Sequence, residues 1–347
     1  MHDLIIDLRD GGDWSLDLCF AGLVHNHGPQ HVIDFPNKSK HREWAYKRNQ
    51  SDWGLERRTL GHTEFNRDVP RFSEFDVIEA GRAGLIDRIW LDERMESFAQ
   101  YRRLGLDSTS AKVVVVAGHD RFWNQTPKFV ADLYGDRLEA MLLDNWYPEY
   151  AKLPFRTRRI GWSCNFDHYW SRPETPPEKD IDISFVGYNS HPDRARFVDH
   201  IEKRWPDLKK HIVLEREPNS FGKFVPKAEY FNIIQRSKIA LNLKGAADRG
   251  KTMRAYEIPY VGSFMLSQVI GDPGMTDDFV AGEHCMYFAN EDQLDVLIEH
   301  FLSADERREQ IAAQGHTRAI GPLSVKQRWA DVIKLLDDGR PVQDTVR

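Results

Sequence analysis

Hydrophobic positions in the first half of the chain recur at two spacings. Leu4-Ile5-Ile6-Asp7-Leu8 is a short apolar run ending in Asp10-Gly11-Gly12, and it predicts a strand. Leu16, Cys19, Phe20, Leu23 and Val24 then fall on one helical face. That pattern stops at His25-Asn26-His27-Gly28-Pro29, where glycine followed by proline ends a helix. His31 to Phe35 predicts a second strand and Phe75-Asp76-Val77-Ile78 a third. Residues 36 to 74 are polar and charged, and they read as an insertion or a loop over a cleft. Lys112 to Gly118 is the clearest buried strand of this half, a β-branched run bounded by turn residues, and Leu138 to Leu143 is a further candidate.

The alternation resumes after Ser171 to Lys179, whose three prolines and several charges mark a linker. Asp182 to Gly187 predicts a strand ending in glycine. Ser190-His191-Pro192-Asp193 supplies a cap, an early proline and a first-turn acid for a helix with Phe197, Ile201 and Trp205 on one face. Residues 227 to 236 and 324 to 337 predict helices. Asn290 to Leu302 predicts an amphipathic one, and Ser303-Ala304-Asp305-Glu306 has the spacing of a capping box for the next. Strand–helix alternation in both halves implies parallel sheets with helices on both faces, and ligands in such sheets bind beyond the carboxyl ends of the strands.

Length fits this division, since 347 residues exceed what one hydrophobic core usually serves. The expected organisation is a Rossmann-like acceptor domain over 1–170, the linker 171–179, a donor domain over 180–323, and a terminal helix and tail over 324–347 with the option of crossing back to the first domain. A net charge of −6 argues against a broad nucleic-acid footprint, although it does not report a local basic groove. Cys19, Cys164 and Cys285 are far apart and in no paired spacing, so neither a disulfide framework nor a metal site is expected. No signal-peptide pattern and no long apolar run appears, which makes the cytoplasm the default expectation.

The stretch Ser237 to Leu266 carries the most specific chemistry. Ile239-Ala240-Leu241-Asn242-Leu243 reads as a buried strand. A loop with Lys244, Arg249, Lys251 and Arg254 follows it, and then comes the lone carboxylate Glu257 between Tyr256 and Ile258-Pro259. Cations at the carboxyl end of a buried strand, with one acid on the next element, suit a diphosphate and the hydroxyls of a ribose. Arg254 lies one helical turn before Glu257, on the same face. Gly187, Tyr188 and Asn189 lie between a strand and a helix start. There the glycine serves either backbone N–H contacts to phosphate or a tight turn. For a general base that takes a proton from an attacking hydroxyl, His119 and Asp120 follow the Val113–Val116 strand, and Asp13 follows Gly11-Gly12.

These motifs, from Phe185-Val186-Gly187 through "Y..I...SKIALNL", "R.YEIP..GSF.L", Gly282-Glu283 and Leu294 to Gly315, resemble the CgeB-like glycosyltransferases, a branch of the GT-B superfamily related to glycosyltransferase families 1 and 4. The resemblance covers about 140 residues, Phe185 to roughly Arg328. It implies a GT-B fold, two Rossmann-like domains facing each other across a cleft. It also implies a hexosyltransferase-type enzyme that takes a UDP- or GDP-linked sugar as donor, with no obligatory cofactor and no metal. Glu257 matches the acid that bonds the ribose in such enzymes. Many family 4 enzymes hold a sugar-binding glutamate eight positions earlier, where this chain has Arg249, so the donor sugar and the stereochemical outcome stay open. The acceptor is then a glycan, a lipid-linked or a small-molecule hydroxyl. Lys38, Lys40, His41, Arg42, Lys47 and Arg48 keep a modified base in DNA as an alternative acceptor. A non-catalytic sugar-nucleotide or glycan-binding protein of the same fold is the other alternative.

Overall fold

A computed structural model describes residues 2–6, 14–35, 72–117, 127–143, 156–160, 163–164, 172–215, 227–245, 252–270 and 275–338. The chain forms two units. The first holds the described residues up to Cys164 and again from Val325, and the second holds those between Arg172 and Ser324.

In the first unit the strands are β1 (Asp3–Ile6), β2 (Val32–Phe35), β3 (Arg88–Leu91), β4 (Lys112–Ala117), β5 (Leu138–Leu143) and β6 (Arg156–Arg159). They form one parallel sheet in the order β2-β1-β3-β4-β5-β6. The helices are α1 (Trp14–His27), α2 (Glu74–Arg82), α3 (Met95–Arg103), α4 (Pro127–Tyr134) and, from the end of the chain, α11 (Val325–Asp337). The four valines Val113–Val116 are fully buried, as a strand covered on both faces requires.

The second unit has β7 (Ile181–Tyr188), β8 (Lys210–Glu215), β9 (Ser237–Asn242), β10 (Met265–Gln268) and β11 (Met286–Phe288). Its sheet runs β11-β10-β9-β7-β8 and is parallel throughout. The helices are α5 (Pro192–Arg204), α6 (Lys227–Arg236), α7 (Arg254–Tyr260), α8 (Met275–Asp278), α9 (Glu291–Ser303) and α10 (Asp305–Ile320). Phe185, Phe197, Phe288 and Ile298 belong to the core of this unit. Among the described residues no helix is long and apolar enough to cross a membrane.

Each sheet begins in the doubly wound order 2-1-3, which reverses direction between the first and third strands of the unit. The crevice beyond the carboxyl ends of those two strands is where such sheets take ligands. In the second unit the two strands are β7 and β9.

Two sequence expectations fail on local chemistry. Phe75-Asp76-Val77-Ile78 is part of helix α2, not a strand. Ser73 caps it, accepting from the Asp76 N–H, while the Asp76 carboxylate accepts from the Ser73 N–H at 2.7 Å, so a capping box overrides the β-branched pair. The strand that fills this place is β3, Arg-Ile-Trp-Leu, too short for its period to stand out. The second failure is Ser303, which does not cap α10. Its hydroxyl donates to the carbonyls of Glu299 and His300 at the end of α9, and Ala304 occupies the cap position with no side-chain bond.

Candidate functional site

Strand β9 pairs with β7 only as far as Ser184, opposite Ala240. Beyond that pair the edge of β7 facing β9 has no strand partner, and its carbonyls need donors. Two arginines supply them. Arg254, the first residue of α7, donates to the Val186 carbonyl, and Arg194, in the first turn of α5, donates to the Tyr188 carbonyl at 2.7 Å. Arg194 also donates to Lys244 O at 2.5 Å and Leu243 O at 3.4 Å, so it stitches the end of β7 to the segment that follows β9.

The two guanidiniums share the ring of Phe185, with Arg254 4.6 Å and Arg194 5.7 Å from its centroid. Among the described residues neither forms an ion pair with a carboxylate. Arg194 is 6% exposed, and burial, followed by the charge of Arg254, pulls its pKa down to about 9. It remains a cation at neutral pH, held at an electrostatic cost. Arg254 Nε is buried without a hydrogen-bond partner. Two cations side by side, one buried and one half-buried, whose bonds among the described residues go to neutral carbonyls, form a site that favours an anion.

Gly187 lies between the two bonded carbonyls. A Cβ there would come within 2.7 Å of Arg254 Nη2 and 3.2 Å of Phe185 Cζ. Its φ lies outside the positive region, so the glycine answers to the close approach of Arg254 and not to a turn. Gly187 and Tyr188 are the last residues of β7, paired with Leu214 and Glu215 of β8. The Asn189 N–H already donates to Glu215 O at 2.7 Å, which commits that donor to the sheet.

Glu257 stands one turn after Arg254 in α7 and is 4% exposed. Its Oε2 accepts from the Tyr230 hydroxyl of α6 at 2.7 Å. Lys244 is held by its backbone, its N–H donating to Gln268 Oε1 at 3.0 Å. Its ammonium lies 3.7 Å from Asp193. Burial pulls the Asp193 carboxyl up, but the Gln268 amide, Arg196, His191 and Lys244 outweigh it and hold it below the usual range. Where the chain returns at Thr252, that hydroxyl donates to Asn242 Oδ1, while Asn242 Nδ2 donates to Ser267 Oγ at 2.9 Å. Lys244 is thereby tied to β10, and Thr252, where the chain returns, to the end of β9.

The structure thus gathers Gly187, Tyr188, Lys244, Arg254 and Glu257 at one edge of one sheet. Arg249, Lys251, His119, Asp120 and Asp13 lie outside the described residues. Sequence reasoning missed Arg194 and gave Tyr230 no role. The signal for each was its register. Arg194 shares its helical face with Phe197, Val198 and Ile201, and Tyr230 shares its face with Ile233 and Ile234, so neither side chain points to solvent. Sequence reasoning also missed Asp92 and Glu93, at the matching edge of the first unit. Asp92 is fully buried and committed to its own turn, accepting from Ser97 Oγ at 2.6 Å and Arg94 Nε at 2.6 Å.

The fold is of the GT-B type, two parallel-sheet, Rossmann-like units. Within it, residues 180–334 match the family model described as glycosyl transferase-like. No curated protein sequence matches the chain. Among solved structures, Anabaena Alr3699/HepE in complex with UDP and glucose aligns with a TM-score of 0.62 at 10% identity, covering 97% of this chain and 100% of that one. A glycosyltransferase from Rickettsia africae ESF-5 aligns with a TM-score of 0.61 at 10% identity, covering 99% of each. Sucrose-phosphate synthase from Thermosynechococcus elongatus aligns at 0.53 and 13% identity, covering 97% and 99%.

Proposed function

We propose that the protein is a glycosyltransferase that moves a sugar from a nucleoside-diphosphate donor, UDP- or GDP-linked, to the hydroxyl of a glycan, lipid-linked or small-molecule acceptor. The observation that carries this reading is the pairing of buried Arg194 with half-buried Arg254 across Phe185 at the switch point of the second sheet. The match of residues 180–334 to a glycosyl transferase-like family supports it, as does the likeness to a fold solved elsewhere with UDP and glucose.

In this reading Arg254 bonds the diphosphate, with Lys244, Arg249 and Lys251 as accessory cations and the Gly187–Asn189 segment lining the site. Glu257 accepts hydrogen bonds from the ribose. Negative charge grows on the departing nucleoside diphosphate during transfer, and fixed cations there lower the barrier without a divalent metal. The acceptor proton passes to His119, Asp120 or Asp13, which follow β4 and β1 in the chain.

Calorimetric titration of UDP and GDP into the protein tests the reading. One of them should bind, and Arg254→Ala and Glu257→Ala should each weaken it about 10- to 100-fold, the equivalent of one charge-assisted hydrogen bond. Failure of both nucleotides to bind folded protein refutes the reading, and wild-type affinity in both variants relocates the site. Slow release of sugar from the donor separates an enzyme from a sugar-nucleotide-binding protein.

A further inference from the structure

We propose that residues 172–179 form a proton-sensitive strap on the second unit, fastened through Arg172 and His316 to the turn that ends α7 and let go at that end when His316 takes up a proton. The strap bears on α7, the helix that carries both Arg254 and Glu257, but its chemistry is independent of any ligand.

Pro173, Pro176 and Pro177 make this segment stiff and poor in backbone donors, so side chains must hold it down. At one end Arg172 Nη1 lies 2.5 Å from His316 Nε2 of α10. At the other, Lys179 Nζ donates to Ser237 O and Ser263 Oγ, each at 3.2 Å. Both anchors converge on one turn. Gly262 follows α7 with φ +80°, and a Cβ there would lie 3.8 Å from His316 Cγ. Ser263 comes next, and its hydroxyl donates to Ile234 O of α6 at 2.7 Å.

The His316 ring is committed at both nitrogens. Nδ1 lies 3.3 Å from Pro259 O of α7, and a carbonyl only accepts, so Nδ1 carries the hydrogen. A guanidinium only donates, so Nε2 is the bare nitrogen that accepts from Arg172. This bond therefore exists in one protonation state and one tautomer. A second proton goes to Nε2 and replaces the acceptor with a charged N–H aimed at a cation. His316 is 9% exposed and held between α10 and α7, whereas Arg172 is exposed, so the arginine is the partner that swings into water.

Burial, and then the Arg172 charge, hold His316 below the ordinary histidine pKa. Burial also pulls Lys179 down to about 8; Glu309 of α10 opposes this and Arg308 adds to it. The charged groups that face the two anchors are thus Arg172 at His316, and Glu309 and Arg308 at Lys179. A pKa lowered by docking gives attachment that is complete above the free value and lost as pH falls through the docked one. For Lys179 that change runs from 10.5 down to about 8 and is nearly over at neutral pH. For His316 it starts at 6.5 and continues below, so His316 governs the acid side.

A protease that cuts after glutamate reads the strap at Glu174, next to the Arg172 anchor. The rate of that cut is measured at about pH 7.5 and about pH 5.5, each divided by the rate on a free peptide of the same sequence at the same pH. In wild-type protein the ratio should rise about threefold or more on acidification, as one proton is taken up. Arg172→Ala, at an exposed position, should fold normally and give the high ratio at both pH values. His316→Gln keeps an acceptor but has no proton to gain, and it should give the low ratio at both. A general acid loosening of the fold would persist in Arg172→Ala, so a rise of wild-type size in that variant overturns the proposal, as does a wild-type ratio that ignores pH. Should His316→Gln fail to fold, nitrogen-15 spectra of the wild-type imidazoles decide, with Arg172→Ala as the comparison. The neutral His316 ring should carry its hydrogen on Nδ1 and should titrate at a higher pH in Arg172→Ala. A hydrogen on Nε2, or the same titration in both proteins, overturns the proposal.

Discussion

At the scale of single residues, the decisive quantity is the distance between Gly187 and Arg254. Alanine at 187 would put its Cβ 2.7 Å from Arg254 Nη2, the movable end of a long side chain and not backbone. Gly187→Ala should therefore fold with little loss of stability, because the guanidinium gives way. It should still bind the nucleotide about tenfold more weakly, because the displaced guanidinium loses its hold on the Val186 carbonyl. Thermal unfolding and calorimetry on the same variant separate the two effects, and an unchanged affinity would show that Arg254 does not contact the ligand. That Arg254 and Glu257 stand one turn apart on one helix was legible in the sequence, because their spacing is helical. Arg194 was not, because a charged residue in a first helical turn reads as solvated until its register with Phe197 and Ile201 is counted. Its partners are carbonyls of strand ends, which no sequence pattern advertises.

Among elements, α7 is short and carries both Arg254 and Glu257, so its placement depends on what packs behind it. Helix α10 does this. Gly315 lies where a Cβ would meet His284 O at 2.6 Å and Pro259 Cβ at 3.6 Å. Glycine to alanine inside a helix ordinarily stabilises by up to about 1 kcal/mol. Here the obstacle is a backbone carbonyl, and overpacking against fixed atoms costs about 1–3 kcal/mol. Gly315→Ala should be net destabilising, visible as a lower urea midpoint with an unchanged slope; a raised midpoint would mean that the turn at His284 yields to the added methyl. Most elements of this unit were legible, since β7, β9, α5 and α9 each have a long period or clear caps. The first unit is less legible: the pattern at α2 resembles a strand, and β3 leaves no period of its own. In a sheet covered on both faces a four-residue strand shows no alternation, and a capped helix with two β-branched residues mimics one.

On the scale of the whole molecule, the end of the chain belongs to its beginning. Val325 N–H donates to Cys164 O at 3.1 Å, so the residues where the chain leaves the first unit and rejoins it are bonded to each other. Helix α11 then lies against α1. Trp329, 1% exposed, fills the space that Gly22 leaves, where a Cβ would come within 2.1 Å of its Cγ, and meets the edge of Trp90 at 5.8 Å between centroids. Arg88 fastens the far end of the helix, donating to Asp337 at 3.0 Å and to Glu139 at 2.7 Å. The helix itself was legible from its apolar face, but its partner was not, because nothing local to residues 325–337 records the gap at Gly22. Each unit has its own apolar cluster, and the proposed nucleotide contacts lie within the second. Unfolding should therefore separate into two steps that respond to different perturbations. Trp329→Ala should lower the step of the first unit by about 3–5 kcal/mol, the usual cost of emptying a large aromatic site. Saturating nucleotide should raise the other step and leave the first in place, since a ligand stabilises only what it binds. Calorimetric scans of wild type and variant, with and without nucleotide, check both shifts. If the ligand moved the step that Trp329→Ala weakens, the nucleotide contacts would have to be sought in the first unit.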